Sequence, residues 1–275
     1  MKSKSFLIIG GSGEAGRSAI QQLKAENPDH LVVATTTTES PIVGADLTLF
    51  GKNAEPGLAK KIKEDLEARK ITTNFDVVIY TPALGEVGFP IQESTQDQIN
   101  RALQISFDPM LEIETTFKPE LSVLYSAFYW LPHTLSFYGS MGVVKYKSDL
   151  WSLEKPKERK IIRAGTFFSK SVRGISLILQ RTMKTTKNPD LLTLKQRFEK
   201  SNQKFIDFFL SYAWEHEKKE FGYGQTSEYR PTEGKDLSRG LKEALKMEEP
   251  IVTVLGDWTW FEKNMPSIPS FFKNF

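Results

Sequence analysis

Seven consecutive residues near the start of the chain, Gly10-Gly11-Ser12-Gly13-Glu14-Ala15-Gly16, have the types and spacing to hold a diphosphate. Gly11, Gly13 and Gly16 fit G-x-G-x-x-G, and Gly10, Gly13 and Gly16 fit G-x-x-G-x-x-G. Glycines serve here because the backbone must turn sharply, approach a pyrophosphate within hydrogen-bond distance, and let a helix pack closely on a strand. Free N–H groups and the positive end of that helix then hold the phosphates. An apolar run at 6–9 enters the turn and an amphipathic stretch up to Leu23 leaves it. Strand, turn and helix in that order read as a dinucleotide site rather than an ordinary tight turn.

The next strand, 31–35, bears on which dinucleotide. Folds selective for NAD usually end it with an acid that binds the ribose hydroxyls. Thr35, Thr36, Thr37 and Thr38 stand here instead, and Arg17 lies in the first helix within reach of a 2′-phosphate. NADP(H) is therefore expected over NAD(H), with Thr35, Thr36 and Arg17 at the cofactor. The alternative keeps Arg17 as a solvated helix residue and gives the ribose to Glu39.

Further elements must carry these groups. Residues 46–50 read as a third strand and 55–69 as a charged helix with Leu58, Ile62 and Leu66 at helical spacing. An unbroken apolar strand at 75–80 ends in Thr81-Pro82-Ala83, and strand ends of this kind line the crevice where a dinucleotide lies. A helix over 92–117 should kink or break at Pro109. The fifth strand, 121–126, delivers Ser126 to the same sheet edge. An aromatic segment at 128–138 and a helical pattern at 139–154 follow, then a sixth strand at 159–165. Residues 169–221 look mostly helical, with Phe198, Phe205, Phe208, Phe209 and Tyr212 as an apolar face best explained by core packing. A loop at 222–234, a helix at 237–247 and a seventh strand at 250–257 complete the chain. Alternating helices and near-continuous apolar strands predict an α/β fold, a doubly wound parallel sheet of seven strands in one domain over 1–275.

Composition narrows the function classes. With 275 residues, 39% hydrophobic and 26% charged, the chain can bury a large core, and no apolar run approaches the roughly 18 residues of a membrane span. A net charge of +3 with Lys and Arg interleaved among Glu and Asp does not suggest nucleic acid as a partner. No cysteine is present, which removes disulfides, thiolate nucleophiles and sulfur-ligated metals and suits the cytoplasm. The start of the chain runs straight into the first strand, so no secretory signal is expected. His30, His133 and His216 are far apart in sequence, without metal-type spacing, and read as surface or hydrogen-bonded histidines; no metal is expected.

Taken together, the glycine turn, the seven strands and a Tyr/Lys pair after the fifth strand resemble the short-chain dehydrogenase/reductase family over nearly the whole chain. The usual family signature, Tyr-x-x-x-Lys, is missing: Tyr138 is followed at that offset by Gly142 and Tyr146 by Leu150. Tyr138-x-x-Met141-x-x-x-Lys145 looks instead like the signature of the enoyl-acyl-carrier-protein reductases, a divergent branch. Seven residues on a helix advance about 700°, so both side chains fall on one face two turns apart. Lys145 can then favour phenolate character in Tyr138 and hydrogen-bond the nicotinamide ribose.

The resemblance implies an NAD(P)H-dependent oxidoreductase. In the leading reading, hydride goes to the β-carbon of an enoyl thioester, Tyr138 stabilises the enolate, and Lys145 holds the cofactor. Tyr129 and Phe128 fall nine and ten positions before Tyr138, where those enzymes carry a second aromatic at the substrate. Ser126 sits near where other family members place a hydrogen-bonding serine, which suits a ketone or aldehyde and gives the alternative, a carbonyl reductase using Ser126 with Tyr138. A non-catalytic NADP-binding sensor is the third reading. The resemblance also implies that 166–236 is a helical segment covering the substrate, and that the protein is a homodimer or homotetramer. Three departures bear on the acyl substrate: tighter glycine spacing, Thr81-Pro82-Ala83 in place of Ser-x-Gly, and a Lys- and Glu-rich stretch from 185 to 221.

Overall fold

Short runs of β-branched and aliphatic residues, buried on both faces, build the sheet at the centre of the computed structural model, which describes residues 2–275. Its strands are β1 (Ser5–Ile9), β2 (Leu31–Thr35), β3 (Leu47–Leu49), β4 (Val77–Tyr80), β5 (Leu121–Ala127), β6 (Arg159–Ala164), β7 (Ile251–Leu255) and β8 (Trp258–Glu262), in the spatial order β3-β2-β1-β4-β5-β6-β7-β8. Every pairing from β3 to β7 is parallel. The order reverses between β1 and β4, and such a switch point opens a crevice at the carboxyl ends of the strands.

Helices cover both faces. On one side α2 (Leu58–Ala68), α3 (Gln96–Ser106), α4 (Asp108–Phe117) and α6 (Gly139–Glu154) contribute Ile62, Ala102, Met110 and Val144 to a core with Leu7, Val78 and Leu124. Against the other face, α1 (Glu14–Glu26) and α10 (Gly234–Ala244) bury Ile20, Leu23, Leu237 and Leu241 over Ile8, Val32 and Val252. A separate cluster belongs to α7 (Lys170–Thr182), α8 (Pro189–Ser201) and α9 (Phe205–Phe221), where Leu179, Leu194, Phe205 and Phe209 pack around Phe137 of α5 (Pro132–Phe137). These three helices fall between 166 and 236.

The break expected at Pro109 within 92–117 separates two helices, α3 and α4, at Phe107 (φ −142°, ψ −52°), because Pro109 has no N–H to continue the ladder and instead sits in the first turn of α4. Two other features differ from the sequence reading. The 55–69 helix begins only at Leu58, after Gly57 at φ +83°. An eighth, antiparallel strand follows the seven parallel ones: Gly256 at φ +53° and Asp257 make a tight turn, and β8 folds back on β7 with Trp258 opposite Leu255.

α6 is buried almost all round, which matters for the site because it carries Lys145. Met141, Val144 and Trp151 face the sheet side, whereas Val143 lies under Phe272 of the carboxyl-terminal segment. The Lys147 Nζ donates to the carbonyl of Phe275 at 2.6 Å, tying that segment down. The helix therefore has packed neighbours on both sides and little freedom to shift.

Candidate active site

The turn after β1 is shaped by what surrounds it. Gly10 (φ +79°) donates its N–H to Thr35 Oγ1 at 3.1 Å, and Gly11 donates to the Thr35 carbonyl at 2.9 Å, so β2 holds the entry to the turn. The Thr81 hydroxyl donates to the carbonyls of Ile9 (2.9 Å) and Gly10 (3.1 Å), fastening the β4 end, while a side chain at Gly10 would also press on Pro82. At Gly16 a Cβ would come within 2.4 Å of the Gly10 carbonyl oxygen, so only glycine lets α1 pack on the turn. Gly13 caps α1 with no side chain on the first-turn N–H groups, and Gly13, Glu14 and Ala15 line a cavity of about 240 Å3. A bare helix start facing a cavity fits the diphosphate of a nicotinamide dinucleotide.

That cavity runs under the carboxyl ends of β4, β5 and β6. Thr81 and Ala83 bound it from β4, and Ser126 and Phe128 from β5. Tyr138 and Lys145 close it from the α6 side, so the residues singled out for chemistry converge in space. Tyr138 is the residue at the amino end of α6, and its backbone is pinned by the loop after β4. Gly88 N–H donates to the Phe137 carbonyl (2.7 Å), Gly139 N–H to that of Phe89 (3.0 Å), and the Ser140 N–H and hydroxyl both to that of Glu86 (3.1 Å). Gly139 sits at φ +48°, where a Cβ would approach the Glu86 oxygen to 2.5 Å.

Electrostatics set the protonation of the pair. Burial pushes the Tyr138 phenol up to about 12, so it stays protonated at neutral pH; the phenolate character expected from Lys145 is overridden by desolvation. Lys145 is 3% exposed, donates to the Tyr125 carbonyl at 3.2 Å, and is lowered to about 8 by burial, with Asp149 opposing the shift. The Ser126 hydroxyl oxygen is buried in the cavity wall without a hydrogen-bond partner among the described residues.

Other expected residues fall elsewhere. Tyr129, placed at the substrate by resemblance, is fully buried away from the cavity and donates its hydroxyl to Asp149 Oδ2 at 2.8 Å, because that carboxylate needs a second donor beside Arg163. Phe128 does line the cavity. Arg17 is folded back on Glu14 (2.7 Å) and the Ser12 carbonyl, and the Thr36 hydroxyl donates to Ser12 Oγ at 3.2 Å. Thr35, Thr36 and Arg17 thus stand around the turn rather than in the cavity.

Sequence reasoning missed the groups brought by the helices above. His133 and Thr134 of α5, Thr166 after β6, and Phe209 and Glu217 of α9 also line the cavity. Glu217 accepts from the Thr166 N–H (2.6 Å) and the Tyr229 hydroxyl (3.0 Å), and burial pushes its carboxyl up to about 7. His133, read from sequence as a surface or hydrogen-bonded histidine, is buried with both ring nitrogens unpaired among the described residues. It stacks on His216 at 5.4 Å, a neighbour from a distant helix that no sequence spacing announces.

Neither a protein-family model nor a curated protein sequence matches the chain. Solved structures do. A short-chain dehydrogenase from Streptomyces avermitilis aligns with a TM-score of 0.58 at 16% identity, over 93% of this chain and 90% of that one. A short-chain dehydrogenase/reductase from Saccharomyces cerevisiae gives 0.54 at 15% identity, over 72% and 84%. An enoyl-[acyl-carrier-protein] reductase (NADH) from Aquifex aeolicus gives 0.50 at 16% identity, over 78% and 89%. The chain has the fold of the short-chain dehydrogenases/reductases.

Proposed function

We propose that this chain is an NAD(P)H-dependent reductase whose substrate is a ketone or aldehyde, with Ser126 and Tyr138 holding the carbonyl oxygen. The observation that carries the reading is the buried, unpaired hydroxyl of Ser126, a residue that lines the same cavity as Tyr138 and Lys145. An unsatisfied buried hydroxyl costs about 1–3 kcal/mol, and a carbonyl oxygen placed there relieves it. A bound reduced nicotinamide supplies the hydride. Tyr138, a neutral phenol at neutral pH that burial makes harder still to ionise, gives its proton to the oxygen as negative charge develops there. Ser126 donates to the same oxygen. Lys145 orients the nicotinamide ribose, and the tight glycine turn holds the diphosphate. Carbonyl, hydride and proton together make the alcohol.

Reduction of an enoyl thioester is the second reading, favoured by the Tyr138-to-Lys145 spacing with Met141 between them. Of the two candidates for the second aromatic of that arrangement, Phe128 lines the cavity, whereas Tyr129 does not and its hydroxyl is occupied with Asp149. Loss of reduced-nicotinamide absorbance with simple ketones, against crotonyl thioester, separates the two. Turnover of the thioester alone would overturn the carbonyl assignment, and cofactor binding without any turnover would overturn the reductase.

NADP(H) is the preferred cofactor in this proposal, because no carboxylate ends β2 and Arg17 is at hand. Its exposed pairing with Glu14 is worth little, so the guanidinium can swing to a 2′-phosphate at small cost. Arg17→Ala should weaken NADPH binding about tenfold and leave NADH binding nearly unchanged, by titration of cofactor fluorescence. Equal losses for both would refute the contact.

Lys145 adds a pH dependence. With its proton lost near pH 8 rather than at the ordinary lysine value of 10.5, the charge that favours the cofactor is present below about pH 8 and disappears above it. NADPH affinity should fall as pH rises through that value, and Lys145→Met should flatten the profile. The stability sign is opposite: burying the charged form is unfavourable, and that penalty is relieved between about pH 8 and 10.5 as the folded protein gives up the proton first.

A further inference from the structure

Ser126 and Tyr138, where the reading above puts the reacting carbonyl, share the cavity wall with further polar residues. His133 is one of them, and it has no part in that chemistry. It is 1% exposed, it lines the same cavity, and neither Nδ1 nor Nε2 has a partner among the described residues. The nearby carboxylate does not explain it, because Glu217 already accepts from Thr166 and Tyr229. Its ring neighbours, Phe137 at 6.0 Å, Tyr212 at 6.4 Å and His216 at 5.4 Å, fix the ring plane. A buried imidazole held in place by aromatic rings, with both nitrogens unsatisfied, is a costly arrangement for packing alone.

We propose that His133 is a specificity-determining residue that hydrogen-bonds a hydroxyl group on the substrate, remote from the carbonyl that is reduced; the substrate is a compact, neutral hydroxyketone. This deepens the carbonyl-reductase reading and rests on it for the identity of the reacting group. Three features select the class. The neutral imidazole offers one donor and one acceptor, and a hydroxyl pairs with either nitrogen whichever carries the proton. Burial keeps the ring uncharged throughout the neutral range, so it has no net charge for a carboxylate or phosphate. Phe137, Met141, Val172, Ile175 and Phe209 give the same cavity apolar wall, which suits a hydrocarbon ring or short chain joining the two oxygens.

The test is equilibrium binding, which does not depend on turnover. para-Hydroxyacetophenone and its isostere para-methylacetophenone are titrated calorimetrically into the full chain, with oxidised NADP present so that no reaction occurs. Wild-type protein should bind the hydroxy compound at least about tenfold more tightly, the worth of one buried hydrogen bond to an otherwise unpaired group. His133→Leu should bring that ratio to one or below. The melting temperature of the ligand-free His133→Leu protein should equal or exceed that of wild type, since an unsatisfied polar ring is replaced by an apolar group of similar size. A ratio unchanged by the substitution, or failure of wild type to prefer the hydroxy compound, overturns the proposal. A ratio that behaves as expected while neither ketone consumes NADPH would leave His133 as the recognition group and reject the reductase reading instead.

Discussion

Replacing Tyr138 by Phe should lower kcat for carbonyl reduction by about a hundredfold to ten-thousandfold while leaving NADPH affinity within about twofold. The expected size follows from what the phenol does and what it does not do. The phenol is protonated at neutral pH, and the residues on either side of it, Phe137, Gly139 and Ser140, are bonded to the loop after β4, so it is a prepositioned acid. Its loss removes the proton at the oxygen without disturbing the glycine turn or Lys145, which hold the cofactor in the proposed arrangement. Phe fills nearly the same volume, so stability should barely change. Stopped-flow measurement of NADPH oxidation, with cofactor binding measured in parallel, reads both quantities. A variant that retains wild-type kcat would remove Tyr138 from the mechanism; one that loses NADPH binding in proportion would make it a cofactor contact instead.

The parts of this arrangement that the sequence revealed are those whose causes are local. Gly10 and Gly16 announce the turn because the positive φ at Gly10 and the 2.4 Å approach at Gly16 can be met only by glycine within a few residues of chain. The parallel strands are visible because burial on both faces imposes unbroken apolar runs, as at Val77–Tyr80. Tyr138 and Lys145 both line the cavity, but not through the helix repeat that paired them in sequence: Tyr138 precedes α6, Gly139 at φ +48° stands between, and the loop after β4 sets the place of Tyr138.

What escaped depends on contacts between distant segments. His133 and His216 lie on helices joined only by tertiary packing, and nothing in either neighbourhood signals the stack. Tyr129 was assigned by its offset from Tyr138, but a carboxylate on α6 draws its hydroxyl the other way. β8 carried a local signal, the Gly256-Asp257 turn before Trp258, that reading 250–257 as one strand obscured.

The buried charges behind the site give the second large effect. Arg163 of β6 has no exposed surface; its Nη2 lies 2.6 Å from Asp149 Oδ2, its Nη1 2.6 Å from Glu262 Oε2, and its guanidinium 4.8 Å from the Trp130 ring. Asp149 is equally buried and accepts from Tyr129 as well. Burial pushes the Asp149 carboxyl up, while the charge and hydrogen bonds of Arg163 pull against it. Arg163→Met leaves that carboxylate, one turn along α6 from Lys145, without its cation in the protein interior. Breaking such a pair from one side costs about 3–5 kcal/mol, a drop in melting temperature on the order of 10 °C for a chain of this size. The cost lies in the stranded charge rather than in the lost attraction, so Asp149→Asn added to Arg163→Met should recover part of the stability. Calorimetric melting of the two single variants and the double variant measures the coupling. Additive losses would show that the two side chains are held independently, and that α6 keeps Lys145 in place without the ion pair.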